Sequence, residues 1–422
     1  MLEIQQLRTN YEDIKTRLSK RGKDFEPQLK QAIDLDEKRR ATQTQLDGFL
    51  AEMNNIAKEI GNLFKDGKRD EAEVLKAKTG EIKEQSKVLE NELRSISDEL
   101  NNLLTQIPNA PYKKVVFGKT AEDNEVVLTH GEKPNLTQSI PHWELAAKYD
   151  LIDFELGVKI TGAGFPVYKG KGARLQRALI NFFLDEALAQ GYSEIQPPIF
   201  INEASGFGTG QLPDKEGQMY HATIDNLYAI PTAEVPITNI YRDVILNEED
   251  LPIRNVGYTP CFRREAGSYG KDVRGLNRLH QFDKVEIVQI AHPNNSYEIL
   301  EQMSSYVQSL LQKLGLHYRV LRLCGGDMGF TSAMTYDMEV FSAAQEKWLE
   351  VSSVSCFGTF QSNRLKLRFR DKDNNKQLCH TLNGSALALP RIVAALLENN
   401  QTENGIKMPE VLHKYLGFEV ID

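Results

Sequence analysis

The stretch CFRREAG, residues 261–267, returns after a glycine-containing polar loop as HQFDKVEI, residues 280–287. An apolar pair, Cys261 and Phe262, runs straight into Arg263, Arg264 and Glu265. Strand, polar loop, strand predicts an antiparallel hairpin with a long tip expected to be mobile. Side-chain alternation puts Arg263 and Glu265 on one face and Arg264 on the other. On the return strand it groups Phe282, Lys284 and Glu286. A planar guanidinium suits a phosphate or carboxylate bidentately. A carboxylate accepts from an exocyclic amine, and a ring stacks on a base. The set points to a nucleotide with a reactive phosphate. A ladder of ion pairs on a solvated sheet face is the bland alternative.

Two later segments favour the nucleotide. WLEVSSVSCFGTFQSNR (348–364) puts Glu350 and Ser353 at a polar strand edge, and a carboxylate with a hydroxyl suits Mg²⁺. HTLNGSALALPRIVAALLENN (380–400) predicts a Gly-containing loop before an apolar helix. Arg391 near that helix start gains nothing from the dipole, so an anionic partner explains it better. No GxxxxGK[ST] and no GxGxxG after a strand is present, which disfavours those nucleotide folds. The runs VVF (115–117), EIQPPIF (194–200), YAIP (228–231) and KVEIVQI (284–290) alternate with helical runs such as 173–192. This order predicts an α+β domain around a largely antiparallel sheet flanked by helices.

Residues before about 106 have another character. A heptad seam reads Leu46, Leu50, Met53, Ala57, Ile60, Phe64. A second reads Leu75, Ile82, Ser86, Leu89, Leu93, Ile96, Leu100, Leu103. Spacings of three and four predict a left-handed coiled coil. KDGKRD (65–70) is a short polar turn, so the helices must fold back as an antiparallel hairpin. Each would reach about 57 Å, too long to pack on one domain, so the arm should project. IPNAP (107–111) ends the pattern with two prolines. The predicted domains are 1–106, with the arm at about 27–106, and 107–422.

The 422 residues carry 26% charged and 41% hydrophobic side chains and a net charge of −8. That balance gives no global nucleic-acid signal, so such a contact must be local. Cys261, Cys324, Cys356 and Cys379 form no zinc-like cluster and fit a reducing cytosol. No run of about 18 apolar residues exists, so no membrane span is expected. The start, MLEIQQLRTNYEDIK, shows no signal-peptide core, and its acidic residues argue against a transit peptide.

Together, and in this order, these segments resemble the bacterial-type seryl-tRNA synthetases, a class II aminoacyl-tRNA synthetase family. GYSEIQPPIF (191–200) matches the first class motif, PTAEVP (231–236) the serine-binding loop, and FRREAG with HQFDKVE the second motif. EVSS (350–353) and TLNGSALALPR (381–391) match the metal segment and third motif. The resemblance implies ATP and Mg²⁺, with Arg263 bridging the α-phosphate and the serine carboxylate. Glu265 would read the adenine amine, with Phe282 stacked on the ring and Leu279 near it. The matching motif also places Arg264, Val351 and Ser352 at ATP, although alternation gives Arg264 a structural salt bridge instead. Glu350 and Ser353 would hold Mg²⁺ and Arg391 the γ-phosphate, making Arg263 and Arg391 the catalytic pair. Thr232, Ala233 and Glu234 would bind serine, its amino group through Thr232. Glu286 and Ser385 would meet its hydroxyl, with Asn383 close by. No histidine is assigned to catalysis; His280 would support the hairpin. Phe341 stands where the family commonly has Trp. The implied activity is serine–tRNA ligation in a cytoplasmic homodimer, with Pro198 at the dimer contact. The arm would grip tRNA(Ser), and tRNA(Sec) stays open as a second acceptor. Two rivals are a ligase loading a carrier protein and a non-catalytic coiled-coil scaffold. The arm disfavours the first, and the joint retention of Arg263, Glu265, Glu286, Glu350, Ser385 and Arg391 the second.

Overall fold

The computed structural model describes residues 1–136, 139–214, 216–265 and 274–422. Half of the tip between Arg263 and His280, residues 266–273, thus lies outside the described residues, Ala266 and Gly267 among them. The chain divides into two compact units. Met1–Ser19 with Lys23–Pro108 form one; Lys20–Gly22 with Asn109–Asp422 form the other.

The first unit is helical. After two short helices, Ile4–Thr9 and Tyr11–Ser19, come α1 (Glu26–Lys65) and α2 (Arg69–Leu104). Pro27 opens α1, where its missing N–H is no loss. Gly67, at φ +78°, closes it. Lys68 N–H donates to Leu63 O and Gly67 N–H to Phe64 O, the paired bonds of a Schellman cap. The inward positions of α2 are those expected, extended by Ala72 and Thr79. On α1 the seam differs. Leu46, Met53 and Ile60 turn inward as expected, but Phe49, Ile56 and Leu63 replace Leu50, Ala57 and Phe64, which are exposed. Both sets alternate by three and four, because each wrong residue adjoins an apolar right one. Only packing against α2 separates them.

The second unit is built on an eight-stranded sheet. Numbered along the chain, its strands are β1 (Glu125–His130), β2 (Ser193–Glu194), β3 (Ile253–Phe262), β4 (Gln281–Ala291), β5 (Tyr318–Arg322), β6 (Met334–Ser342), β7 (Lys347–Cys356) and β8 (His380–Ala388). Their spatial order is β1-β5-β6-β7-β8-β4-β3-β2, antiparallel except for the pairing of β2 with β3. Helices α3 (Gly170–Ala189), α4 (Ser296–Lys313) and α5 (Leu389–Asn399) pack on this sheet. Val285 and Ile287 of β4 join their common core. The alternate residue Val288 instead packs against Ala233 and Ile237. Period-two alternation therefore turns Lys284 and Glu286 toward the 231–236 segment.

Three local expectations change. Val115–Phe117 forms no strand; Val115 is buried in the core and Phe117 is exposed. EIQPPIF holds only strand ends, because its prolines leave gaps in a ladder. The loop expected before α5 is β8 itself. Gly384 lies within it because a Cβ there would come within 3.2–3.4 Å of Val354 and Ile287.

Arg21 joins the second unit across a long sequence gap. Its guanidinium donates to the carbonyls of Asn109, Met328 and Ser332, at 2.9, 3.1 and 2.7 Å. Burial lowers its pKa to about 10. Arg21→Met leaves several buried carbonyls unpaired, each worth about 1–3 kcal/mol. We expect a loss of about 3 kcal/mol or more in urea unfolding of the full chain. An unchanged midpoint would show that water replaces the guanidinium.

Candidate active site

Three carboxyl and ammonium groups are buried together where β4 meets β8. Glu286, 0% exposed, lies opposite Gly257 on β3 and Ser385 on β8. Its Oε2 is 2.5 Å from Lys284 Nζ and accepts from Ser385 Oγ at 3.2 Å. Its Oε1 is buried and has no partner among the described residues. Glu234, also buried, begins the short helix Glu234–Asn239. Its oxygens accept from Gln361 Nε2 at 2.7 Å and Asn383 Nδ2 at 2.8 Å. Burial, and then the neighbouring Glu286 charge, push its carboxyl up to about 7, against those two bonds and the Lys284 charge. Thr232 Oγ1 accepts the Glu234 N–H at 3.2 Å, and Ala233 is wholly buried. Ser385 thus bonds Glu286 directly, while Thr232 and Asn383 bond Glu234, whose carboxyl feels the Glu286 charge.

Arg263 follows directly on β3. Its Nε donates to Pro231 O at 3.4 Å, and its guanidinium lies 5.2 Å from the centre of the Phe282 ring. It therefore joins the 231–236 segment to the hairpin. The alternation expected beyond Phe262 does not hold, since β3 ends there and Glu265 takes φ +49°. Glu265 pairs with Arg278 at 2.9 Å. Arg264 is exposed, and the salt bridge expected for it is absent among the described residues. Glu265 and Leu279 border a cavity of about 760 Å³ that continues to Trp143, Phe154 and Phe165. His280 bonds Tyr220 OH through Nδ1 at 2.6 Å and stacks on Phe165, the support expected of it.

Glu350 and Ser353 are three residues apart, which on a regular strand means opposite faces. Register resolves this. Ser352 pairs with Met338, but Glu350 pairs with Glu339, leaving Val351 as an extra residue. The bulge brings Glu350 and Ser353 to one face, beside Asp337 and Glu339. The strand is interior, between β6 and β8, rather than the edge expected. Val351 and Ser352 are buried, and Ser352 Oγ donates to Ser385 O at 2.5 Å. Asp337 lies opposite Ser353, and its Oδ1 is buried without a partner among the described residues. Burial, and then Glu350, hold its carboxyl well above the usual range, with the Ser353 bond opposing. Arg391, third in α5, donates to Glu350 O at 2.7 Å and to Asn277 O at 3.1 Å.

The sequence reading missed Gln361, Asp337 and Asn277, which act on assigned residues from elements far along the chain. No local pattern marks them. Lys284 carried a signal, a cation between Phe282 and Glu286 on one strand face, but no role was given to it. Phe341 is buried edge-on to Trp348, with 5.3 Å between ring centres, so the aromatic packing at that position is kept. All four cysteines are buried free thiols. No helix among the described residues is long and apolar enough to cross a membrane.

Residues 1–111 match the seryl-tRNA synthetase N-terminal domain, and residues 220–400 the tRNA synthetase class II core domain (G, H, P, S and T). A serine–tRNA ligase of Salinibacter ruber is 50% identical, over 99% of this chain and 98% of its own. The seryl-tRNA synthetase of Pyrococcus horikoshii complexed with ATP has a TM-score of 0.93 and 33% identity, covering 100% of this chain and 99% of its own. That of Naegleria fowleri in complex with AMP has a TM-score of 0.89 and 27% identity, over 100% and 99%. Likeness over the whole length, at identities this high, fixes the family: the chain belongs to the seryl-tRNA synthetases, class II aminoacyl-tRNA synthetases.

Proposed function

We propose that this site activates L-serine with ATP and passes the seryl group to the 3′ end of tRNA(Ser). The observation that carries the serine half is Glu286 Oε1, a buried carboxylate oxygen with no partner among the described residues. A substrate hydroxyl donating to it removes a costly unpaired acceptor. A substrate lacking the hydroxyl leaves it unpaired, and sites of this kind reject such analogues by about 10⁴–10⁵. Ser385 is placed to accept from or donate to the same hydroxyl. Thr232 receives the amino group, with Ala233 and Glu234 beside it, and Asn383 lies close to the hydroxyl.

Arg263 spans the serine side and the ATP side, next to the Phe282 ring that stacks on adenine. Glu265 and Leu279 take the adenine edge, and Val351 and Ser352 contact ATP through their backbone. Arg264, exposed at the same loop, is available to its phosphates. Arg391 takes the γ-phosphate, aimed by the carbonyls of Asn277 and Glu350. The serine carboxylate is ionised at neutral pH, so attack on the α-phosphorus needs no general base. Arg263 and Arg391 align the reactants and hold the developing phosphate charge.

Glu350 and Ser353, on one face through the bulge, fit a magnesium ion that keeps several waters and binds substrate phosphate. That ion, when bound, neutralises phosphate charge.

Residues 1–106 serve as the tRNA-binding domain, with the arm of 27–106 as its reader, and residues 107–422 as the catalytic domain. The protein works as a cytoplasmic homodimer with Pro198 at the contact, and tRNA(Sec) is a candidate second acceptor.

Glu286→Ala tests the assignment. Serine-dependent pyrophosphate exchange in the folded variant should fall at least ~100-fold in kcat/KM, about 2.7 kcal/mol. Activity within about threefold of wild type would remove Glu286 from the serine site.

Glu234 adds a pH dependence. It faces Glu286 and Lys284 as charged groups and Gln361 and Asn383 as amides, and its carboxyl titrates at about 7. Ionised, it favours the serine ammonium. The kcat/KM for serine should therefore rise with pH through about 7 and level off, and Glu234→Gln should flatten that limb. The stability sign is opposite. A carboxyl raised on folding contributes stability that is full below the ordinary carboxylate range and lost as pH rises through about 7. A Glu234→Gln profile that keeps the limb would assign it elsewhere.

A further inference from the structure

We propose that Lys284 sets the serine selectivity of this site, by engaging one oxygen of Glu286 and leaving the other to accept the substrate hydroxyl. This rests on the serine reading above. It adds a positioning residue that acts through Glu286.

Glu286 is wholly buried, with a second buried carboxyl, Glu234, beside it. A buried charge needs a partner of opposite sign. Lys284 is the cation. It is 5% exposed, on the same strand face two residues earlier, with its Nζ 2.5 Å from Glu286 Oε2. Ser385 Oγ donates to the same Oε2 at 3.2 Å. Both donors thus converge on one oxygen, and Oε1 is left without a partner among the described residues.

The unpartnered oxygen decides what this pocket selects. An ionised carboxylate is acceptor-only, so Oε1 requires a donor. Serine supplies one and alanine does not. Without the Lys284 ammonium on Oε2 the carboxyl is free to turn Oε1 toward the Ser385 hydroxyl, so the penalty against alanine would shrink. The Lys284 charge also favours ionised Glu234, on the side assigned to the amino group. One buried ammonium therefore fixes which Glu286 oxygen is left to read the substrate hydroxyl.

The test compares wild type, Lys284→Met, Lys284→Arg, Glu286→Gln and the double variant Lys284→Met/Glu286→Gln. ATP-dependent pyrophosphate exchange is measured with serine and with alanine. In Lys284→Met the serine KM should rise ~30-fold or more while kcat falls by less than ~5-fold. The serine-over-alanine ratio of kcat/KM should fall ~10-fold, and the ATP KM should stay within about twofold. Lys284→Arg, which keeps the charge, should recover part of the ratio. An amide at 286 needs no ammonium, so adding Lys284→Met to Glu286→Gln should change the serine KM by less than about twofold. That comparison stands even where Lys284→Met alone does not fold. An unchanged serine-over-alanine ratio in Lys284→Met overturns the proposal. So does an equal Lys284→Met effect in both backgrounds, which would mean that the lysine acts apart from Glu286. Normal serine activation by Glu286→Gln would remove the serine reading itself, and the inference with it.

Discussion

Arg263→Ala lowers serine-dependent pyrophosphate exchange by ~10³-fold, about 4 kcal/mol of transition-state stabilisation, with little change in melting temperature. The guanidinium is half-buried, and its hydrogen bond to Pro231 O is long, 3.4 Å, so it contributes little to the fold. Its position next to Pro231 and over the Phe282 ring puts it between the two proposed substrates. On the proposed reading charge develops there on the α-phosphoryl oxygens, so removing it should act mainly on kcat. Arg263→Lys restores little, because a point charge does not reproduce a planar fork. Exchange kinetics with purified variants check this. A loss confined to the ATP KM, with kcat intact, would reduce Arg263 to a binding residue.

The second large effect separates the half-reactions. Removing the whole of 27–106 would be too blunt. Asp36 in α1 is 1% exposed and pairs with Arg8 and Arg39, and Leu7 of the first short helix is fully buried. The better cut is residues 44–90 with a short glycine linker. It keeps Leu29, Ala32, Leu35 and Asp36 on α1 and Leu100, Leu103 and Leu104 on α2. Two antiparallel helices can be rejoined by roughly 2–5 residues. The removed pieces bury their seams chiefly against each other, so little core is exposed. Every residue proposed to touch ATP or serine lies beyond residue 230, so exchange should stay within about twofold of wild type. Charging at low tRNA should fall ~100-fold or more, since the contacts proposed for the arm with the tRNA backbone would be lost. Raising tRNA should recover part of it. Unchanged charging would make the arm a solvated coil. Loss of exchange, with the melting transition intact, would show that the arm supports the catalytic unit.

Most of the architecture was legible because it rests on periodicity. Seam spacing predicted α1 and α2, and the strand–loop–strand order predicted the β3–β4 hairpin. What escaped depends on contacts between distant segments. The α1 seam was misplaced at Phe49, Ile56 and Leu63, because apolar neighbours follow each of them. The bulge at Val351, which brings Glu350 and Ser353 to one face, is set by register with β6 and leaves no mark in the sequence. Glu265 in the left-handed region broke an alternation argument that assumed a continuing strand. The assigned site residues were found through motif order. Of their supports, Gln361, Asp337 and Asn277 had no motif to carry them, and neither did Arg21; Lys284 sat inside the second motif but was given no role.

Amino-acid-dependent pyrophosphate exchange, followed by charging of purified tRNA(Ser) with the same preparation, tests the central claim most directly. The account predicts exchange with serine and ATP, exchange with alanine lower by ~10⁴-fold, and seryl transfer to tRNA(Ser). Exchange without tRNA charging would point to a carrier-loading ligase. No serine-dependent exchange from a folded, Mg²⁺-supplied protein would contradict the account and leave a coiled-coil scaffold.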